Sequence, residues 1–131
     1  MTPTNNEIAG SLFSTLAGAP LSHPIAWPGR NFAPPETGYW LEVLFMPNQG
    51  IDNGLAPTDA TVPQGIFQVN VFARPGAGII GINTLAGQIK ALYPKNATIA
   101  GLVRVQRHPY SVEINSEPDR LMIMVTVPYT G

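Results

Sequence analysis

Proline is the residue that most constrains how this chain folds, because its ring fixes the backbone angle φ and removes a hydrogen-bond donor. The 131 residues include 14 prolines and 13 glycines. Residues 19–38 hold prolines at positions 20, 24, 28, 34 and 35. Residues 47–65 hold three prolines and three glycines and show little hydrophobic pattern. The sequence therefore predicts two long, stiff loops on a compact core, and loops of this length are usually functional.

The segments outside these loops show helical or strand periodicity. Apolar residues at helical spacing predict one helix from Asn5 or Asn6 to Gly18 and a second over residues 80–92. Alternating residues predict strands at residues 39–46, 66–73, 102–107 and 120–127, and residues 108–119 could extend the pairing of the last two. A β-α-β crossover is right-handed and makes its two strands parallel. We expect an α+β fold in the order α-β-β-α-β-β, with a mixed four-stranded sheet, two helices on one face, and one domain spanning residues 1–131.

Charge and cysteine content exclude several classes of function. Charged residues make up 11% of the chain and the net charge is −1, so the clustered Lys and Arg needed for strong DNA binding are missing. Only Arg104 and Arg107 come close together. The chain has no cysteine, which removes disulfides and thiolate metal sites. Residues 1–7 show no signal-peptide pattern, and the longest strictly apolar run, residues 121–125, is too short to span a membrane.

The segment Gly76-Ala-Gly78-Ile-Ile-Gly81 matches the G-x-G-x-x-G pattern of dinucleotide-binding proteins, between a predicted strand and a predicted helix. However, a helix and a hairpin strand precede it, and no acidic residue follows about 20 residues later to bind a ribose. The chain is also too short for the second half of that fold. We therefore interpret these glycines as a tight strand-to-helix turn, with a nucleotide-binding enzyme as the remote alternative.

Residues typical of metal sites and catalysis are present without the required companions. His23 and His108 are each followed by proline and have no histidine or cysteine at ligand spacing. Asp52-Asn-Gly54 resembles a fragment of a calcium loop but lacks the other ligands, so a turn explains it better. The G-x-S-x-G elbow of serine hydrolases is missing. We predict no catalytic, cofactor-binding or metal-binding residues.

Two groups of residues are candidates for contact with other proteins. The first group lies in the two loops and comprises Trp27, Arg30, Phe32, Asp52, Asn53, Leu55, Asp59 and Val62. Large aromatic side chains in a proline-rich loop either fold back into the core or face a partner, and both alternatives remain open for Trp27 and Phe32. The second group would form the polar part of the sheet face opposite the helices, and comprises Glu42, Gln68, Asn70, Arg104 and Gln106, with Thr126 beside them.

Several segments resemble one known family. The segment Gly65-Ile-Phe-Gln-Val-Asn-Val-Phe-Ala-Arg-Pro-Gly-Ala-Gly78, followed by an amphipathic helix, looks like the central signature of the tail terminator-like proteins of long-tailed bacteriophages. Ala26-Trp27-Pro28, then Asn31-Phe32-Ala-Pro34-Pro35 and Tyr39, are similar to the loop before that family's first strand. The segment 119–129 resembles its closing strand. One departure is Asp119, at a position that is often aromatic in the family.

The resemblance implies a structural virion protein that is not an enzyme. Such proteins form a ring, typically of six subunits, that caps the tail tube, stops its growth and offers the surface to which the head attaches. The implied partners are further copies of the chain, the tube protein and the head–tail connector protein, and DNA passes through the channel without specific binding. The implied location is the head–tail junction of the virion, after assembly in the host cytoplasm. Another head–tail joining protein or a tube protein is the alternative.

Overall fold

In a computed structural model, the chain is described at residues 5–19, 23–35, 38–52, 61–74, 79–99, 101, 103–114 and 121–130, with residues 48–52, 61–63 and 114 described by their backbone alone. Within this part, the predicted helices are confirmed as α1, Asn5–Ala17, and α2, Ile79–Ala91. α1 buries Ile8, Leu12 and Leu16 at helical spacing. It ends where the N–H of Gly18 donates to the carbonyl of Ser14 at 2.9 Å.

Over the described residues, seven strands form one mixed sheet, where the sequence predicted four. They are β1 Ile25–Ala26, β2 Tyr39–Asp52, β3 Thr61–Ala73, β4 Thr98–Ile99, β5 Val103–Val105, β6 Tyr110–Ile114 and β7 Leu121–Thr130. The order across the sheet is β1-β2-β3-β7-β5-β4, and β6 also pairs with β7. β1 and β2 are parallel, and every other pairing is antiparallel. The α+β class is therefore confirmed, whereas the strand count was wrong. β1 and β4 have only two residues each, too few to show alternation, and β6 was expected only as an extension of the neighbouring pairing.

The prediction of a second loop over residues 47–65 was wrong for its described residues, 47–52 and 61–65, which form strands. β2 continues to Asp52 and β3 begins at Thr61, so the two strands form a long hairpin. The register changes between the pairs Asn48↔Gln64 and Ile51↔Val62, which marks a bulge. Pairing through backbone groups needs no alternation of apolar side chains, and proline is tolerated at bulges and on edge strands. The sequence pattern therefore gave no sign of this part of the hairpin.

Gly65 illustrates how closely the strands approach in this hairpin. It lies opposite Pro47 on β2 and Tyr129 on β7. A Cβ atom at this position would stand 2.7 Å from the Tyr129 hydroxyl oxygen and 2.8 Å from the Pro47 Cα, which is closer than real side chains approach. The glycine is therefore required by the packing of three neighbouring strands.

The chain crosses from β3 through α2 to β5, and β7 lies between these two strands. Since β3 and β5 are both antiparallel to β7, they run parallel to each other, as the predicted crossover requires. β5 ends at Val105, two residues before its predicted end, and the N–H of Gln106 donates to the carbonyl of Pro128 at 2.9 Å. Pairing with β7 resumes at β6, which confirms that the residues after 108 extend it. The expected turn at residues 117–119, with Asp119, lies outside the described residues.

The core lies between the two helices and the odd-numbered residues of the sheet. Leu41, Val43, Phe67, Val69 and Val125 belong to one buried cluster with the apolar residues of both helices. Tyr93, just after α2, is fully buried, and its hydroxyl donates to the carbonyl of Leu12 in α1 at 2.8 Å. Burial raises the pKa of the Tyr93 phenol far above its usual value. This hydrogen bond joins the two helices across the core.

Candidate interaction surfaces

The sheet face opposite the helices carries a row of three hydrogen-bonded polar side chains. The Nε2 of Gln68 donates to the Oδ1 of Asn70 at 2.8 Å, and the Nδ2 of Asn70 donates to the Oε1 of Glu42 at 2.9 Å. Gln68 and Asn70 are 7% and 3% exposed, and buried Thr126 lies opposite Gln68 on β7. Three of the residues predicted for the polar face therefore lie together. Because buried polar groups are costly when unpaired, this row fixes the orientation of all three side chains.

Large apolar side chains flank the polar row on the same sheet face. At one end, the rings of Trp40 and Phe72 stack with centroids 5.2 Å apart. At the other end and along the β6 edge, Met46, Tyr110 and Val112 are 41%, 52% and 48% exposed. This face is therefore mixed rather than simply polar, and exposed apolar side chains of this kind are typical of surfaces that contact other proteins.

The two remaining residues of the predicted polar face lie apart from the row. Arg104 is exposed on β5, opposite Thr130, at the far end of the same face. Gln106 is exposed just after β5, where its backbone bonds to Pro128. The structure therefore brings Glu42, Gln68 and Asn70 into contact but leaves Arg104 and Gln106 at the sheet's opposite edge.

In the first loop, the three candidate residues differ in exposure. Trp27 is half-buried and packs against the core, with its ring centroid 5.5 Å from that of Phe13 in α1. Phe32 is also half-buried, whereas Arg30 is exposed. Trp27 therefore contributes to the packing of the subunit itself, and the contact of these three residues with a partner stays a prediction.

Arg74 holds the first loop against the sheet, which the sequence analysis did not predict. Its Nε and one terminal nitrogen donate to the carbonyl of Pro35 at 3.2 and 2.9 Å. Its guanidinium carbon also lies 4.8 Å from the centroid of the Trp40 ring, in the geometry of a cation–π contact. No sequence pattern indicates this neighbourhood, because it depends on the register that places Trp40 opposite Phe72, two residues before Arg74.

A cavity of about 390 Å³ opens between the first loop and β2. Four aromatic side chains, one carboxylate and one guanidinium contribute to its wall, namely those of Trp27, Phe32, Trp40, Phe72, Glu42 and Arg30. Glu42 is half-buried there, and its second carboxylate oxygen has no hydrogen-bond partner within the described ranges. We call this space the aromatic cavity.

The candidates from the second predicted loop are described only in part. Asp52 and Val62 lie on the two strands of the hairpin, paired with Thr61 and Ile51. Asn53, Leu55 and Asp59 lie outside the described residues. Their contact with a partner stays a prediction.

The glycine motif is partly described. Gly81 lies in the first turn of α2, and a Cβ atom there would collide with the hydroxyl of Tyr39 on β2. A larger residue at Gly81 would displace the Tyr39 ring, so this glycine allows close packing between helix and strand. The tight strand-to-helix turn stays a prediction. Gly76 and Gly78 lie outside the described residues.

The two histidines lie in different surroundings. The His23 ring packs edge-on against Tyr39 at 5.5 Å, and His108 is exposed. Over the described ranges, no three His, Asp or Glu side chains are close enough together to hold a metal ion.

Both helices in the described part of the chain have 13 residues, and neither is long and apolar enough to cross a membrane.

Together, these features define an α+β domain whose clearest surfaces are a mixed sheet face and an aromatic cavity. Five solved protein chains match the protein. One of them, which carries no functional name, is 25% identical to this chain and has a TM-score of 0.77. The match covers 97% of this chain and 94% of that one, so the two share the whole fold. No curated protein matches this chain.

The chain belongs to the phage tail terminator proteins, because that family's model matches residues 7–129, nearly the whole sequence. This confirms the resemblance found in the sequence. The family is structural rather than enzymatic, and its members are components of the phage tail. The chain is therefore a tail protein that interacts with other tail or head–tail components.

Proposed function

We propose that this chain forms a ring of six subunits that caps the tail tube of a long-tailed bacteriophage, ends tube polymerisation and provides the surface for head attachment. The observation that carries the proposal is the family match over residues 7–129, which includes nearly all of both helices and the sheet. In this role the chain acts as one domain, without catalysis and without a cofactor. Its partners are copies of itself, the tube protein and the head–tail connector protein.

Two open strand edges support a ring. β2 pairs with β1 only at Leu41 and Glu42, and within the described residues the rest of its outer edge has no strand beside it. On the opposite side of the sheet, β6 pairs with β7 and has no second neighbouring strand in the described part of the chain. A closed ring requires a heterologous interface, in which one patch docks on a different patch of the next subunit. Unpaired backbone groups at two separate edges provide patches of this kind.

The low charge of the exposed part of the sheet face opposite the helices supports a place for it along the central channel. Gln68 and Asn70 are almost fully buried and Glu42 is half-buried in the aromatic cavity, so the exposed polar side chains predicted for this face are those of Arg104 and Gln106. One positive charge per subunit attracts DNA phosphates only weakly. Arg104 and Gln106 lie toward the other end of this face. In the ring, DNA passes this surface without specific binding. The assembled ring resides at the head–tail junction, after assembly in the host cytoplasm.

Imaging of tube ends tests this proposal directly. Purified tail tubes of the same phage are incubated with the chain and examined by negative-stain electron microscopy, with tube protein added afterwards. We expect one additional ring at one end of each tube and no further elongation there. Absence of the ring together with continued growth refutes the proposal. Incorporation of the chain along the whole tube instead identifies a tube protein, the main alternative.

A further inference from the structure

We propose that the aromatic cavity of one subunit receives Arg107 from the next copy of this chain, and that the Arg107 guanidinium pairs there with Glu42. This inference rests on the proposed ring and deepens it by naming the two patches that meet. The donor patch is the exposed corner between β5 and β6, residues 106–110, which we call the β5–β6 corner. The acceptor patch is the aromatic cavity beside β2.

The chemistry of the aromatic cavity favours a cation. Glu42 is half-buried in its wall and keeps one carboxylate oxygen free of hydrogen bonds from the described residues. Aromatic ring faces attract guanidinium groups, and Arg74 already lies 4.8 Å from the Trp40 ring centroid. Arg30 also contributes to the wall, but it is exposed, so solvent screens its charge. Trp40 and Phe72 stack on each other and are almost fully buried, so the rings open to a second guanidinium are those of half-buried Trp27 and Phe32. An arginine suits this site because its planar fork bonds carboxylates and stacks on aromatics.

The β5–β6 corner supplies the complementary charge. Four residues of this edge, 106–109, face only two residues of β7 between the pairs Val105↔Tyr129 and Tyr110↔Thr126, so the chain bulges outward there. Arg107 lies in this bulge, exposed and without an ion pair in the described part of the chain. Tyr110 follows it, 52% exposed. A protruding arginine beside an exposed aromatic ring is the composition of an interface anchor.

The positions of the two patches require a second copy. Glu42 lies on β2 and Arg107 follows β5, with β3 and β7 between these strands. Adjacent strands are about 4.8 Å apart, so roughly 14 Å of sheet separates the two patches within one subunit. The pair can therefore form only between subunits. Because the patches lie on opposite sides of the sheet, repeated docking adds subunits in one direction, and a ring forms when the rotation from one subunit to the next completes a circle.

A charge-exchange mixing experiment tests the pair. Arg107→Glu keeps a normal cavity but carries the wrong charge at its corner, and Glu42→Lys keeps a normal corner but carries the wrong charge in its cavity. Alone, each variant places like charges at every interface, and we expect capped tube ends to fall roughly tenfold or more. Mixed in equal amounts, the two variants can alternate around a ring of six with every interface complementary. We therefore expect the mixture to restore capping.

Lys95→Glu is the matched control, because it makes the same charge change at an exposed turn outside both patches. It is expected to cap like the wild type. The proposal is overturned if Arg107→Glu alone caps normally, or if both single variants fail and the mixture fails as well. If the wild type itself forms no ring, the proposed function fails, and this pairing fails with it. Rings that form equally well with either variant overturn the pairing alone and leave the proposed function standing.

Disulfide trapping keeps the test independent of any folding defect in Glu42→Lys. The natural chain has no cysteine, so introduced cysteines are the only thiols. Pro28 is exposed at the aromatic cavity, and His108 is exposed at the β5–β6 corner. Oxidised rings of the double variant Pro28→Cys, His108→Cys are expected to give a ladder of covalent oligomers up to the ring size. Each single variant can give at most a dimer, and a double variant that also stops at the dimer contradicts the proposal.

Discussion

The two faces of the sheet are organised by different interactions. The helix-covered face is continuous apolar core, in which residues such as Phe67 and Val69 have no exposed surface. The opposite face combines the hydrogen-bonded row of Glu42, Asn70 and Gln68 with half-exposed apolar side chains. Burial of apolar area stabilises the first face, whereas directional hydrogen bonds organise the second. One face therefore maintains the fold, and the other exposes apolar side chains beside a largely buried polar row.

The largest effect is expected from truncation in the helix-covered face. Phe67 is fully buried and contacts the rings of Phe13 and Tyr93, with centroids 5.9 and 5.4 Å away. Phe67→Ala is expected to lower the free energy of unfolding by about 3–5 kcal/mol, measured by urea denaturation. Met46→Ala, at a 41% exposed position on the other face, should cost less than about 1 kcal/mol. Equal losses would remove the energetic distinction between the two faces.

The centre of the polar row should show a smaller effect with a different cause. Asn70→Ala leaves both Glu42 and Gln68 without their shared partner. We expect a loss of about 1–3 kcal/mol in the free energy of unfolding, because buried polar groups lose their hydrogen bonds. Asn83→Ala, at an exposed position of α2, is the matched control and should change little. A neutral result at Asn70 would show that the row is not needed for stability.

The attachment of the first loop comes next in expected magnitude. Arg74→Ala removes two hydrogen bonds to Pro35 and the contact with the Trp40 ring. We expect a loss of roughly 1–2 kcal/mol and a red shift of tryptophan emission, because both tryptophans of the chain border this loop. Arg74→Lys should recover only part of the loss, since an ammonium group lacks the planar fork. An unchanged emission spectrum in Arg74→Ala would contradict the role of Arg74 in holding the loop.

The smallest effect concerns pH and distinguishes a buried tyrosine from an exposed one. Tyr129 is fully buried, its hydroxyl has no hydrogen-bond partner among the described residues, and burial raises its pKa to about 12. Since the unfolded pKa is 10.0, the folded state binds the proton more tightly, so stability is retained below pH 10 and falls between pH 10 and 12. Near pH 10.5, the contribution of Tyr129 to this loss should be less than about 1 kcal/mol. Tyr93 contributes in the same direction.

Urea denaturation at pH 9 and pH 10.5 measures this effect. Tyr129→Phe should reduce the pH dependence because it removes one of the two buried phenols. Tyr110→Phe changes an exposed phenol and should leave the pH dependence as it is. If the two variants behave alike, burial of Tyr129 is not the source of the effect.

Sequence periodicity predicted the parts of the fold in which side-chain burial determines secondary structure. Ile8, Leu12 and Leu16 indicated α1, and alternation over residues 66–73 indicated the central part of β3. The outer hairpin, residues 47–52 paired with 61–65, was missed because its pairing uses backbone groups and includes a bulge. β1 was missed because two residues carry no period, although Pro24 and Leu41 are joined by a backbone hydrogen bond at 2.9 Å.

The candidate surfaces, like the fold, could be predicted only where the alternation of side chains determines them. Alternation placed Glu42, Gln68 and Asn70 on one face, and the structure confirms that they share it. Their hydrogen bonds depend on the register between β2 and β3, which no local pattern contains. The contact between Arg74 and Pro35 joins residues 39 positions apart, so it depends on where the first loop lies in space. The aromatic cavity also joins residues of the first loop to β2 and β3, so it was equally hidden from the sequence.

The length of the β2–β3 hairpin determines which part of the sheet unfolds locally most readily. Among the described residues, β7 pairs with β3 as far as Gln64, so the pairs Ile51↔Val62 and Asp52↔Thr61 have no third described strand beside them. Their amide protons should exchange with solvent by local opening, while those around Val43 and Val69 exchange only when the whole sheet unfolds. The outer end of the hairpin can therefore become ordered when a neighbour binds, while the core stays folded.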